Sequence, residues 1–449
     1  MLGVAATVVL VAFDSTIVST TLPRVAEALN GLALYSWVGT GYLLTTAASI
    51  LIFGRMGDMF GRKPMMMVSV SLVALGSISC GLSQTMLQLT LFRALQGIGG
   101  GMMIATAFAA PADLFPEARE RVRWLALTTS SYAMASGIGP VLGGAATQAL
   151  GWRAAFFIAP VTAVIGLVLI GRYFPTIPPH GSGPRRIDWL GCILLVVLVA
   201  SPLAALQLGF ATSGVSHPLV ALCLALAAIV AALALPPHLR RKEMPIFPLR
   251  VLASKEARML NMAAIATGAV MFILIFYSPL LLQREFGYTP SQAGLLITPQ
   301  VVAIAIGSLI NGRLFPRQAE PQRLLAFGGW LLAAGSLMVL AIGDGTPVAW
   351  ILLSFFTTGA ALGFVLANLT LFIQMLSERR DVGTASALVQ TTRAIGSALG
   401  TALVGIAVSH TSVRVGVRIG LVLCVAMALT TAFVGHKITM RNVMQKRSA

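Results

Sequence analysis

Gly54-Arg-Met-Gly-Asp-Met-Phe-Gly-Arg-Lys63 places one acid, three cations and three glycines in ten residues, between two long apolar runs. A charged, glycine-rich stretch cannot lie in hydrocarbon, so it reads as a very short loop between two membrane-spanning helices. Arg55 and Lys63 need no more explanation than a basic turn. Asp58 does, because an acid adds nothing to membrane orientation. It stands at a helix end four residues before Arg62, within reach across one turn.

Working outward, the whole chain has membrane composition. It is 57% hydrophobic and 10% charged over 449 residues, with a mean hydropathy of +0.88, far from soluble-protein usage. Fourteen segments are long enough to cross a bilayer: 2–23, 35–53, 65–84, 87–110, 124–150, 154–174, 189–209, 216–235, 259–283, 291–311, 323–342, 347–376, 384–409 and 415–435. With the N-terminus in the cytoplasm, 24 of the 31 Lys and Arg residues fall on the cytoplasmic side. Five, Arg24, Arg153, Arg284, Arg414 and Arg418, fall on the other side, and Arg93 and Arg393 lie inside spans. This is the positive-inside pattern, and it predicts cytoplasmic termini. The net charge of +17 is therefore topology plus attraction to anionic lipid, and nucleic acid is not an expected partner. The Ala- and Arg-rich, lysine-poor usage points to a bacterial cytoplasmic (inner) membrane. Met1-Leu2 opens directly on the first span, which is expected to stay in the membrane.

Other chemistries find little support. Cys80, Cys192, Cys223 and Cys424 all fall within spans without metal-ligand or disulfide spacing, and read as small core residues. The five histidines sit in loops or at helix ends. Gly97-Ile-Gly-Gly-Gly101 superficially suggests a nucleotide loop, but no strand precedes it, and close helix packing explains it better. No catalytic residue, metal or cofactor is expected, and the chain does not read as an enzyme.

The chain divides in the middle. Pro175–Ile187 is a polar Pro/Gly-rich link, and a second, basic link occupies 236–258. Between them lies an apolar pair, spans seven and eight. The expected domains are an N-terminal six-helix bundle (1–174), the inserted pair (188–235) and a C-terminal six-helix bundle (259–435). Gly312-Arg-Leu-Phe-Pro-Arg317, after span ten, is a faint second copy of the opening stretch that lacks the acid. The predicted fold class is an all-α membrane protein with 14 transmembrane helices.

Two motifs now carry a resemblance. The pattern G-x-x-x-D-x-x-G-R-K at Gly54, Asp58, Gly61, Arg62 and Lys63 resembles the loop signature of the major facilitator superfamily of transporters. In span five, Gly137-Ile-Gly-Pro-Val-Leu-Gly-Gly144 sets Gly139 and Gly143 on one helical face, where another backbone can approach, and Pro140 favours a bend. Tight packing alone would account for Gly137, Gly139, Gly143 and Gly144, but G-x-G-P-x-x-G-G also resembles the antiporter motif of proton-coupled exporters. Six spans, two spans and six spans resemble the fourteen-helix drug:proton antiporter branch over the whole length. The resemblance implies that span five packs against span ten, that transport runs outward, and that the proton gradient drives it.

The charges inside spans are the candidate chemistry. Asp14 alone among the 14 acids lies well inside a span, about 18 Å along it. An ionised carboxylate there costs roughly 3 kcal/mol, so it needs a cavity, a partner or a proton. Phe13–Pro23 resembles the branch's first-helix signature, and Asp14 is the expected proton carrier; capping of a helical irregularity is the plain alternative. Leu91-Phe-Arg-Ala-Leu-Gln-Gly97 resembles the family's R-x-x-x-G motif. Arg93, which cannot lose its proton, is expected either to promote proton release from Asp14 or to form a static ion pair. Arg393 either contacts substrate or bonds to backbone carbonyls. By family resemblance, Asp58, Arg62 and Asp113 form a cytoplasmic gate, with Asp58 facing Gly383-Thr384 at the start of span thirteen. The same resemblance lines the substrate cavity with Asp14, Gln96, Met103, Asn261, Met271, Phe272, Phe276, Phe364, Asn368, Gln374 and Arg393.

The function expected is proton-coupled export of lipophilic drugs or amphiphiles, neutral or monocationic, since spans nine to fourteen hold no acid to match a dication. Partners are then a small amphiphile, protons and the bilayer. A dedicated exporter of one endogenous metabolite or antibiotic shares every feature, and a non-transporting membrane sensor or structural subunit is the alternative of another class.

Overall fold

The computed structural model describes residues 1–30, 34–115, 117–176, 187–209, 218–242, 249–288, 290–318, 320–378 and 381–438. Among these residues fourteen α-helices follow one another: α1 (Leu2–Ala28), α2 (Tyr35–Phe60), α3 (Arg62–Gly81), α4 (Met86–Leu114), α5 (Ala118–Leu150), α6 (Trp152–Tyr173), α7 (Trp189–Gly209), α8 (Pro218–Arg241), α9 (Lys255–Arg284), α10 (Pro290–Leu314), α11 (Gln322–Leu340), α12 (Val348–Leu376), α13 (Val382–His410) and α14 (Val413–Lys437). Over the described residues nine of them are long and apolar enough to cross a membrane by length and composition, and α1 and α7 are apolar over the shorter stretches Leu2–Val18 and Trp189–Pro202; α4, α5 and α13 are not among these. Polar residues explain part of that gap. Arg119, Glu120, Arg121 and Arg123 open α5, and α13 carries Thr384, Ser386, Gln390, Thr391, Thr392 and Arg393.

The opening stretch is more helical than the sequence suggested. Where a loop was expected after residue 53, α2 continues through Asp58 to Phe60 and α3 begins at Arg62. The junction is Gly61 alone, with φ 92° and ψ 153°. Only glycine adopts that backbone without strain, and the break lets the charged turn stay helical on both sides. Likewise α8 runs through Pro236 and Pro237 to Arg241, so the link to α9 begins later than position 236. Most of the link at 175–187 lies outside the described residues.

Contacts group the chain into two units. The first comprises Met1–Leu114, Ala135–Val251 and Glu378–Thr391; the second comprises Phe115–Met134, Leu252–Ser377 and Thr392–Ala449. In the first, α4 packs on α1, α2 and α3, and α6 packs on α1 and α3. In the second, α12 packs on α9, α10 and α11, and α14 packs on α9 and α11. These are the same pairings with every helix number raised by eight. The pair α7–α8 stands outside the repeat: α7 packs on α2, and Asp188, which caps α7 through Gly191 N at 3.0 Å, is hydrogen-bonded by His238 of α8 at 2.8 Å. Two helices change unit along their length. The first turns of α5 belong with α10, where Ser130 Oγ donates to Ala305 O at 3.1 Å, and the first turns of α13 belong with α2.

Apolar burial follows the same plan. Val18, Val25, Leu89 and Phe156 form a core in the first unit, and Ile273, Leu332, Phe355, Leu362 and Leu421 form one in the second. The outer face of α8 is apolar and open, with Leu219 at 77% and Leu233 at 72% exposed. Such surface is costly in water and suited to lipid.

Candidate functional site

Two buried charge clusters occupy the first unit. The deeper one joins α1, α2 and α4. Asp14 is 4% and Arg93 1% exposed, and Arg93 donates to Asp14 Oδ2 at 3.3 Å. Gln96, one turn beyond Arg93, completes a triangle: its amide nitrogen donates to Asp14 Oδ1, and its carbonyl oxygen accepts from Arg93 at 2.7 Å. The Arg93 guanidinium also stacks 4.1 Å above the Tyr42 ring, a contact that no motif pointed to. Each partner lowers the cost of holding charge away from water. The Asp14 carboxylate is thus neutralised by one cation and held by one neutral amide.

The second cluster surrounds the α2–α3 junction. Arg62 donates to Asp58 at 2.5 Å and, through Nε, to Asp113 at 2.6 Å. Asp58 simultaneously caps α13: Oδ1 accepts from Gly383 N at 3.0 Å, and Oδ2 accepts from Thr384 N and Oγ1, both at 3.0 Å. A carboxylate at a helix N-terminus gains roughly 0.3–1 kcal/mol from the helix dipole. A side chain at Gly383 would collide with Asp58 and Arg62, so the close approach needs glycine. Lys63 points elsewhere and donates to Gly171 O of α6 at 2.8 Å.

Arg55 was expected to be an ordinary basic-turn residue, yet it is 5% exposed and pairs with Asp381 at 3.3 Å. Asp381, immediately before α13, also accepts two bonds from Arg250, at 2.5 and 2.9 Å. Arg250 lies in the short 3-10 turn Leu249–Leu252 that leads to α9. Sequence reading missed both Asp381 and Arg250. The signal available was an acid just before an expected helix start, as at a cap.

The glycines of the α5 motif differ in their surroundings. Gly139 and Gly143 are buried, Gly144 is half-buried and Gly137 is exposed. A side chain at Gly139 would strike Thr16 of α1, and one at Gly144 would meet nothing within 4 Å. Earlier turns of α5 meet α10, at Ala126 and Ser130. The side chain of Pro140 lies outside the described residues, as does that of Phe276.

The expected cavity residues separate. Asp14 and Gln96 are joined as above, and Met103 is 1% exposed. Asn368 forms a reciprocal amide pair with Asn311 of α10, at 2.9 and 3.1 Å. Phe364 packs edge-on against Phe327 of α11, with centroids 5.3 Å apart. These two make contacts between neighbouring helices of the second unit. Asn261 accepts from Thr392 at 3.1 Å, Gln374 is fully buried, and Met271, Phe272 and Arg393 keep some accessible surface.

The comparisons with known proteins agree with this architecture. The Major Facilitator Superfamily model matches residues 4–401 and 259–437. Multidrug resistance protein 3 of Bacillus subtilis is 29% identical over 90% of this chain and 78% of its own length. Multidrug transporter protein MdtP, also of Bacillus subtilis, is 30% identical over 88% and 72%. Among solved structures, the proton:xylose symporter XylE superposes with a TM-score of 0.72, covering 99% of this chain and 98% of its own, at 14% identity. That last likeness speaks to the fold alone. Matched by the family model over nearly its full length, the chain belongs to the Major Facilitator Superfamily and is a multi-pass membrane transporter.

Proposed function

We propose that this transporter is a proton-coupled antiporter of the fourteen-helix drug-export branch. Two six-helix bundles, 1–174 and 259–435, carry substrate by alternating access, and the pair at 188–235 is an insertion between them. The recurrence of helix pairings at an interval of eight, with α7–α8 left over, supports this organisation. No cofactor takes part. The chain sits in a bacterial cytoplasmic membrane with both termini inside, and it exports lipophilic drugs or amphiphiles, neutral or monocationic.

The observation that carries this reading is the buried triangle of Asp14, Arg93 and Gln96. A carboxylate enclosed in apolar helices is expensive unless it is put to use. When a proton binds Asp14, the ion pair with Arg93 is lost, while Arg93 keeps Gln96 Oε1 and the Tyr42 face. Neutralising one group therefore changes the electrostatics of the helix contact between α1 and α4 without emptying it of partners. The cluster at Asp58, Arg62 and Asp113, with Asp381 beside it, acts as the cytoplasmic gate. Its acids hold the start of α13 against α2, and a bond set of this size biases two states that differ by only a few kcal/mol.

The names of the relatives, a multidrug resistance protein and a multidrug transporter, favour this substrate class. The test is accumulation of a monocationic fluorescent dye in everted vesicles with an imposed proton gradient. Gradient-dependent uptake that collapses with nigericin is expected. Uptake indifferent to the gradient would end the antiport reading.

A further inference from the structure

Within the second unit, α9 and α13 lie backbone to backbone. A side chain at Gly268 would collide with the carbonyl of Arg393, and one at Gly396 with that of Ile265. Arg393 stands about 17 Å along α13, and its Cγ lies 3.0 Å from where a Gly268 side chain would begin. The stem is therefore held against α9, and the position of the guanidinium is confined.

Several polar groups on these two helices are matched to one another. Asn261 donates to Ala257 O at 2.8 Å and accepts from Thr392. Ser397 donates to Gly268 O at 3.1 Å and to Arg393 O at 2.9 Å. The guanidinium shares in none of these bonds. Among the described residues the guanidinium has no carboxylate within ion-pair distance and makes no hydrogen bond. Arg55, Arg62 and Arg93, by contrast, each pair with an acid. Arg393 is only partly buried, which leaves it within reach of a ligand. An arginine deep in a membrane helix costs roughly 3 kcal/mol and stays charged. Five unused donors in a planar fork suit a planar two-oxygen acceptor.

We propose that Arg393 anchors a carboxylate on the exported molecule, so that the substrate is an amphiphile with an anionic group. This rests on the export reading and narrows its neutral substrates toward zwitterions, in which a carboxylate balances a cation. The α9–α13 contact keeps the fork in place before the ligand arrives.

A matched pair of rhodamines provides the test, one with a free benzoate and the other its ethyl ester, bound to the full chain in lipid nanodiscs. The free acid is expected to bind at least about tenfold tighter than the ester. Arg393→Gln should erase that ratio by weakening the acid alone, and Arg393→Lys, a point charge without the fork, should reduce it several-fold. A wild-type ratio near one, or a ratio unchanged in either variant, overturns the proposal; if the glutamine variant fails to fold, the wild type and the lysine variant still decide. Proton-driven accumulation of the ester in everted vesicles tests the export reading separately. Ester accumulation without acid preference rejects only the carboxylate anchor, whereas acid preference without accumulation rejects only proton-driven export.

Discussion

Arg93 and Arg393 are the two arginines set deep in helices, one in each unit, and their surroundings are opposite. Arg93 has a carboxylate, an amide oxygen and an aromatic face. Arg393 has the glycine-lined backbone of α9 against its stem. Neither can discharge by losing a proton. The first arrangement is closed, so its charge matters when Asp14 changes protonation. The second is open, so its charge matters when something outside the protein arrives. One unit would then keep the coupling ion and the other would read the cargo.

The sharpest way to break that contrast is stability. Arg93→Gln leaves Asp14 without its cation and should cost about 3–5 kcal/mol, as broken buried pairs do. Arg393→Gln, by contrast, removes a charge that had no acid and should be neutral or stabilising. Thermal denaturation of both variants in the same nanodiscs checks this, and equal losses would mean that Arg393 has a structural partner after all.

Coupling comes next. Asp14→Asn keeps the shape and cannot titrate, so proton-driven uptake in everted vesicles should fall roughly 100-fold, the scale of a lost proton-transfer group. The folded protein should remain, since the amide still meets Gln96. Undiminished active uptake would take Asp14 out of the mechanism.

A smaller effect separates the deep triangle from the α2–α3 junction. Asp58→Asn weakens the Arg62 pair and the cap on α13, so turnover should drop about tenfold while substrate binding stays within roughly threefold. If binding at equilibrium falls as far as turnover, the junction is not a gate. Smallest of all, Arg250→Gln should lower turnover by less than about fivefold, because that side chain is 42% exposed and such pairs contribute at most about 1 kcal/mol. Asp381→Asn, which removes the acid shared by Arg55 and Arg250, should exceed it; the reverse order would locate the effect in the linker itself.

Much of this was legible in the residues. Apolar run lengths announced a helical membrane protein, and an acid isolated among apolar residues marked Asp14, because burying charge without purpose is costly. The i, i+4 spacing of Asp58 and Arg62 foretold their pairing. Spacing along one helix says nothing about a residue hundreds of positions away, so Asp381 and Arg250 stayed hidden, and Arg55 passed for a simple topological cation. The cavity lining was legible only by resemblance. The structure turned Phe364 toward Phe327 and Asn368 toward Asn311, because a helix's rotation about its axis is set by neighbours absent from its own sequence.

The sequence by itself determined that the chain is membrane-embedded and helical, and which charges are exceptional, since both follow from transfer free energies that each residue carries with it. Only the tertiary structure decided which exceptional charges are matched. Asp14 finds Arg93 across 79 positions, Asp58 finds the start of α13 across 325, and Arg393 finds no acid among the described residues. Pairing depends on distances of a few ångströms between helices, and those are fixed by packing.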